Sequence, residues 1–162
     1  MMTMKVPISM TVNGKRVSAE IPARTLLVTF IRDHLRLTGT HIGCDTAQCG
    51  ACSIHLNGIV VKSCSMMAVQ ADGAAVVTIE AIAEDDGLLH PMQEAFANCH
   101  ALQCGFCTPG MVMTALDIVR EDANPSRETI AKGLEGNLCR CTGYRNIVDA
   151  IVEGARLMRQ GR

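Results

Sequence analysis

The chain has 162 residues, a formal net charge of -1, nine Cys, three Phe, one Tyr and no Trp. That length allows one domain or two small ones with modest cores, and the lack of both a basic surplus and stacking aromatics argues against a nucleic-acid partner. The longest apolar run, Leu26 to Ile31, is too short to span a membrane and the opening MMTMK lacks a signal core, so a cytoplasmic setting is expected, in which nine cysteines serve metal or redox chemistry rather than a disulfide framework.

From Lys5, KVPISMTVNGKRVSAEIP alternates apolar and polar residues on both sides of Asn13-Gly14, which predicts a β-hairpin. After Pro22, TLLVTFIRDHLRL predicts a helix with Leu26, Leu27, Phe30, Ile31 and Leu35 on its inner face, stopping near Gly39. A cysteine loop follows, HIGCDTAQCGACS. ACSIHLNGIVVKSC then predicts two short strands about Asn57-Gly58 ending at Cys64, and AAVVTIE, Ala74 to Glu80, a closing strand. Residues 1–82 therefore form an α+β unit. AEDDG, Ala83 to Gly87, has the acidic, glycine-ended composition of a linker. Beyond it Leu89 to Leu102, Pro109 to Glu121, Ser126 to Leu134 and Asn146 to Arg159 each fit a helix. Thr108 is the expected cap of the second, with Pro109 in its first turn, and Asn124-Pro125 breaks the chain before the third. Residues 83–162 are expected to be a small all-α bundle.

The cysteines fall into two sets. Cys44-x4-Cys49-x2-Cys52 followed by Cys64 has the plant-type ferredoxin spacing for a [2Fe-2S] cluster. Gly43 and Gly50 would allow positive φ and bring N–H groups towards the anionic sulfurs. In the helical half, Cys104-x2-Cys107 and Cys139-x1-Cys141 give four further thiols. Their natural place is at two helix starts, where N–H groups and the dipole favour negative charge, with Arg140 and Arg145 adding to it. Zinc could use either quartet, more readily the second, because CxxC with a distant pair is common in zinc sites. Cys99 is left over and reads as a buried free thiol. His34, His41, His55, His90 and His100 show no HxxxH or HExxH pairing, and the methionines read as core or interface filler. No GxGxxG, Walker or GxSxG motif is present. No catalytic centre is visible.

The order of a β-rich CxxxxCxxC...C half, then QCGFCTPGM, then GNLCRCTGY, resembles the iron–sulfur subunit or domain of the molybdenum hydroxylases, the family of xanthine dehydrogenase and aldehyde oxidoreductase, over nearly the whole chain. The resemblance implies a plant-type ferredoxin-like (β-grasp) domain over residues 1–82 and a helical [2Fe-2S]-binding domain over residues 83–162. Cys44, Cys49, Cys52 and Cys64 resemble the ligands of the cluster nearer FAD, and Cys104, Cys107, Cys139 and Cys141 those of the cluster nearer molybdenum. Gln103 matches a position that contacts the pterin, and Cys141 the ligand nearest the pterin amino group. The variant Cys44-Asp45-Thr46-Ala47-Gln48-Cys49, with HIGCDT and VKSCSMMAVQADG, is similar to the small subunit of aerobic copper- and molybdenum-containing carbon monoxide dehydrogenase. That likeness implies a large subunit holding molybdopterin cytosine dinucleotide with Mo and Cu, which oxidises CO with water to CO2, protons and electrons. It further implies a medium subunit holding FAD, a dimer of heterotrimers, and peripheral attachment of the complex to the inner face of the cytoplasmic membrane.

Three alternatives stand beside it: the same relay role in a hydroxylase of aldehydes, xanthine or N-heteroaromatics, a freestanding two-cluster ferredoxin, and a zinc-stabilised interaction module. The near-neutral charge speaks against the freestanding carrier, which would want an acidic surface for steering. A chain this small cannot hide all its apolar and sulfur-containing residues. The stretch LQCGFCTPGM is the expected subunit contact, with Met111 and Met113 as candidate interface residues.

Overall fold

The computed structural model describes residues 4–83 and 87–161, so residues 84–86 of the expected linker lie outside the described residues. Strands β1 (Lys5–Val12) and β2 (Lys15–Pro22) pair antiparallel from Lys5↔Pro22 to Val12↔Lys15. Asn13 and Gly14 join them at φ 50° and 76°, the left-handed pair that a type I′ turn needs. Strands β3 (Ser53–Leu56) and β4 (Ile59–Lys62) repeat the device at Asn57 and Gly58, φ 51° and 83°. Strand β5 (Ala75–Val77) lies between the hairpins, parallel to β1 and antiparallel to β3, giving the order β2-β1-β5-β3-β4. It is shorter than AAVVTIE suggested. The reason is a side-chain clasp: the Thr78 N–H donates to Asn13 Oδ1 and Asn13 Nδ2 donates to Thr78 Oγ1, both at 2.9 Å. The chain then turns into a 3-10 segment at Ile79–Ala81.

The predicted helix is α1 (Leu27–Thr29), running on into a π-helical turn over Phe30–His34. Leu27, Phe30 and Ile31 are buried with Ile8, Met10, Ile21 and Ile54 in the core of the sheet unit. Leu26, expected on that face, is instead 38% exposed and bridges to Met67. Val28 points the other way, onto Cys52 and Cys64. One short helix thus serves two surfaces, the sheet and the first thiol set.

The second half holds α2 (Pro91–Asn98), α3 (Thr108–Glu121), α4 (Arg127–Gly133) and α5 (Arg145–Arg159). Helix α2 is shorter than its apolar pattern. His90 Nδ1 accepts the Met92 N–H and Gln93 Oε1 accepts the His90 N–H, which fixes its start, and His100 at φ 52° ends the run. Ser126 Oγ accepts the Thr129 N–H at 3.0 Å and caps α4. Thr108 does not cap α3: Cys107 occupies that position, and Thr108 is the first helical residue. Met92, Phe96, Met111, Ile130, Ile147 and Ile151 form the helical core. Gly154 lets α5 approach α2, since a Cβ there would stand 2.5 Å from Met92 Sδ.

The two halves meet where α3 lies against β3 and β4. Met111 and Met113 are 0% and 1% exposed, so neither is the interface residue the sequence suggested. Both are internal because α3 is covered on one side by the bundle and on the other by the sheet unit, where His55 Nε2 donates to the Met113 carbonyl at 2.9 Å. Met111→Ala in the full chain is expected to cost about 2–5 kcal/mol of stability, read as a lower denaturant midpoint. An unchanged midpoint would return Met111 to the surface.

Candidate functional site

The first thiol set is built on the loop between α1 and β3. The Cys49 N–H points at Cys44 Sγ at 3.4 Å. That N–H, the Thr46 N–H and the Cys49 thiol together bring the Cys44 thiol down to about 6. Cys52 and Cys64 are buried against Val28. Burial pushes Cys52 up to about 11, against a pull from the Cys64 N–H. Cys64 comes from a 3-10 turn, Ser63–Ser65, directly after β4. The Ser63 hydroxyl ties that turn to the loop by donating to the Cys52 carbonyl at 2.8 Å. Only one of the two glycines acts as expected: Gly50 is left-handed at φ 71°, whereas the other left-handed residue of the loop is Ala47 at φ 59°. Lys62 Nζ donates to the Ala47 carbonyl at 2.6 Å and holds that turn. Gly43 matters for space, since a Cβ there would lie 3.1 Å from Cys49 Sγ and 3.3 Å from the Phe106 ring.

The second set joins the start of α3 to the loop before α5. Cys104 and Cys141 are exposed, with their sulfurs 3.6 Å apart. Cys107, at the N-cap of α3, lies against Cys139. Burial and the Cys139 thiol push Cys107 up to about 12. For Cys139 burial acts upward too, but the Thr142 hydroxyl at 3.2 Å and the Cys141 and Thr142 N–H groups outweigh it and lower the thiol. The TGY triplet explains this arrangement. Gly143 and Tyr144 are both left-handed, φ 65° and 68°, and fold the chain back so that the Tyr144 hydroxyl accepts the Cys139 N–H at 2.9 Å. Cys139 and Cys141 therefore precede α5 in a loop rather than occupying its first turn, and Cys107 alone sits at a helix start. Arg140 and Arg145 are exposed, as is Gln103 beside Cys104.

A seam connects the two sets. The Leu138 N–H donates to the Cys49 carbonyl at 2.8 Å, so one hydrogen bond and one peptide unit separate a residue of the first set from Cys139. Gly110 packs on Gly50 so closely that a Cβ there would stand 2.2 Å from the Gly50 oxygen. His41 Nδ1 donates to the Phe106 carbonyl at 2.8 Å, and the two rings stack at 4.7 Å. The sequence reading set the histidines aside, yet His41 and His55 both fasten one half to the other. The clue available for His41 was its place three residues before Cys44.

The thiols stand as pairs: Cys44 with Cys49, Cys52 with Cys64, Cys104 with Cys141, Cys107 with Cys139. Two thiolates about 2.3 Å from one tetrahedral metal lie about 3.8 Å apart, and the Cys104–Cys141 separation of 3.6 Å matches this. Among the described residues no three His, Cys, Asp or Glu side chains converge as a single ion requires. Two thiols per metal and two metals per set is the demand of a [2Fe-2S] cluster. It suits this donor set better than one four-thiolate zinc. Cys52 and Cys107, pushed up by burial, resist ionisation until a cation takes up the charge, and a bound metal does so outright. Cys99, half-buried at the C-cap of α2, belongs to neither set; burial and the carboxylates of Glu153 and Asp149 raise its thiol.

Residues 10–77 match the family described as 2Fe-2S iron-sulfur cluster binding domain, and residues 78–152 match the [2Fe-2S] binding domain family. The chain is 50% identical over 147 residues to caffeine dehydrogenase subunit gamma of Pseudomonas sp. strain CBB1, covering 89% of this chain and 87% of that one. It is 44% identical over 149 residues to the nicotine 6-hydroxylase small subunit of Paenarthrobacter nicotinovorans, covering 92% and 89%. In the crystal structure of quinoline 2-oxidoreductase from Pseudomonas putida 86, one chain superposes with a TM-score of 0.93 at 42% identity, covering 98% of both.

About four irons and four sulfides per chain are expected from two such centres. Cys107→Ser should lower both to about half and remove one of two paramagnetic species on full reduction, while Cys99→Ala leaves both unchanged. Stoichiometric zinc with no iron would reject the centres altogether.

Proposed function

Since this chain belongs to the family of small iron–sulfur subunits of the molybdenum hydroxylases, we propose that it relays electrons from a molybdenum centre on a large subunit, through two [2Fe-2S] clusters, to FAD on a medium subunit. A cluster held by four thiolates stores and passes one electron at a time. The residues of this chain supply the rest. Cys44, Cys49, Cys52 and Cys64 are the proposed ligands of the cluster on the FAD side; Cys104, Cys107, Cys139 and Cys141 are those on the molybdenum side, with Gln103 turned to the pterin. Two units are proposed, residues 1–82 and 83–162, each with its own core, and Ile79 and Ile82 reach across to pack on the helical one.

The observation that carries this reading is the seam. Two thiol quartets in separate units are tied by the Leu138 N–H on the Cys49 carbonyl, which keeps two electron sites within one short covalent and hydrogen-bonded path. A storage protein or an interaction module has no need of that connection. Direction is suggested by exposure: Cys104 and Cys141 are open to the surface, flanked by Leu102, Phe106 and Leu138 at 42%, 48% and 56% exposure. Such an apolar rim around a polar sulfur pair suits coverage by another chain. The large subunit is its proposed occupant, and a dimer of heterotrimers the proposed assembly. Within the described residues no helix is long and apolar enough to cross a membrane. A cytoplasmic place, with any membrane contact made through the complex, is part of the proposal.

For the substrate, an N-heteroaromatic compound replaces carbon monoxide as the favoured reading. Relatives that match nearly the whole chain are named for caffeine and nicotine, and the superposed structure for quinoline. Carbon monoxide rested on Asp45, Thr46, Ala47 and Gln48 together with HIGCDT and VKSCSMMAVQADG. Asp45 to Gln48 lie in the first thiol loop, where Lys62 holds the turn at Ala47.

Co-expression with the neighbouring large and medium reading frames tests the assignment. Anaerobic addition of caffeine or quinoline should bleach the cluster absorption of the co-purified complex, while CO leaves it unchanged. Bleaching by CO alone would reverse the choice of substrate. Cys49→Ser should leave the molybdenum centre reducible by substrate but stop delivery to the acceptor, whereas Cys104→Ser cuts molybdenum off from both. Normal flavin reduction in an assembled Cys104→Ser complex would overturn the order of the relay.

A further inference from the structure

Resting on that two-cluster reading, we propose that Asn137 is a positioning residue for electron transfer: it locks the two thiol loops in register and so sets the separation an electron must cross between clusters. Asn137 is 4% exposed. Its Nδ2 donates to the Gly50 carbonyl and to the Gly110 carbonyl, both at 3.3 Å, and its Oδ1 accepts the Thr114 hydroxyl at 3.2 Å. One side-chain amide therefore spans three segments: the first thiol loop, the first turn of α3 and the loop of the second set. Both of its N–H groups and one acceptor site are in use.

Each of these bonds ends beside a proposed ligand. Gly50 follows Cys49, so a shift of the Gly50 carbonyl moves Cys49. Asn137 is two residues before Cys139, and the intervening Leu138 already holds the Cys49 carbonyl. Gly110 lies three residues after Cys107, in the helix that Cys107 begins. The amide fits only because both carbonyls belong to glycines. A Cβ on Gly50 would stand 2.6 Å from Asn137 Cγ and 2.5 Å from the Gly136 oxygen, and one on Gly110 would stand 2.2 Å from the Gly50 oxygen. Two glycines and one buried amide make a single closure with no room for adjustment. An apolar side chain would serve burial as well, but it would leave the Gly50 and Gly110 carbonyls without the donor they share, the Gly50 oxygen keeping only the local Ser53 N–H and hydroxyl.

The variants follow from this chemistry. Asn137→Asp keeps the shape but replaces two donors by an acceptor facing two carbonyl oxygens, which drives the loops apart. Thr114→Val keeps the amide and removes the bond that orients it. Thr114→Ser retains that bond and is the rescue control. Each is made in the full chain and co-expressed with its partner subunits. Iron and sulfide per chain, the magnetic interaction between the two reduced clusters, and the rate at which an electron passes from the second set to the first after rapid reduction are measured on each.

Thr114→Ser should match the wild type in all three. Asn137→Asp should weaken the magnetic interaction and slow the transfer several-fold, and Thr114→Val should move both in the same direction by less. If Asn137→Asp fails to load iron, Thr114→Val decides alone. Variants that lose thermal stability yet keep the wild-type interaction and rate would overturn the proposal, leaving Asn137 a purely structural residue. A wild-type chain with a single cluster, or with zinc, would instead strike down the two-cluster reading, and the role of Asn137 with it.

Discussion

Gathering four thiolates around two metal ions concentrates negative charge, and this chain of near-neutral balance carries two [2Fe-2S] binding domains. The rest of the structure answers to that constraint. Backbone N–H groups point at Cys44 from Cys49 and Thr46, a hydroxyl from Thr142 meets Cys139, and burial against Val28 keeps Cys52 and Cys64 away from water. The chain offers few cationic side chains for the task, so the neutralising groups are mostly peptide dipoles. This accounts for the irregular backbone of both loops, because away from helix starts N–H groups converge on a sulfur when the chain leaves helix and strand geometry. The left-handed residues at Ala47, Gly50, Gly105, Gly143 and Tyr144 are that departure made local.

Two units that each folded around their own cluster would be free to drift. Their contact is instead specified by polar bonds to main-chain atoms: His55 to the Met113 carbonyl, the Val60 N–H to Asp117, His41 to the Phe106 carbonyl, Leu138 to the Cys49 carbonyl. Apolar packing between α3 and the sheet contributes burial, but it is non-directional and would tolerate sliding. Hydrogen bonds to fixed carbonyls do not. Stability and placement are therefore divided between two kinds of interaction, and the polar kind crowds towards the thiols.

What the sequence disclosed and what it hid divide along the same line. Thiols gathered on one loop recur at set spacings, and hairpins need Asn-Gly at their turns, so the grouping of Cys44, Cys49 and Cys52 and the turns at Asn13 and Asn57 were legible residue by residue. Helix existence was legible from periodicity, but the true ends of α2 and the loss of Leu26 from the inner face were not, because His90, His100 and Met67 decide them through local bonds and a bridge. Asn137 and His55 were invisible. Their partners are carbonyls 87 and 58 residues away, and every residue has a carbonyl, so the acceptor leaves no mark in the sequence. Met111 and Met113 failed for a related reason: a helix covered from two directions shows no face that pattern alone can assign to solvent or to a partner.

The parallel pairing of β1 with β5 carries a consequence for biosynthesis. Asn13 and Thr78 clasp across 65 residues of chain, so the sheet unit is shut by its last strand, after the segments bearing Cys44, Cys49, Cys52 and Cys64 have already been made. Long-range closure is the slow step in folding of this kind. On a growing polypeptide the first four thiols are therefore synthesised before the strand that closes their unit. The second quartet has a different schedule, since Cys139 and Cys141 are synthesised only after α3 and α4. Along the chain the first thiol set is thus complete in sequence well before the second.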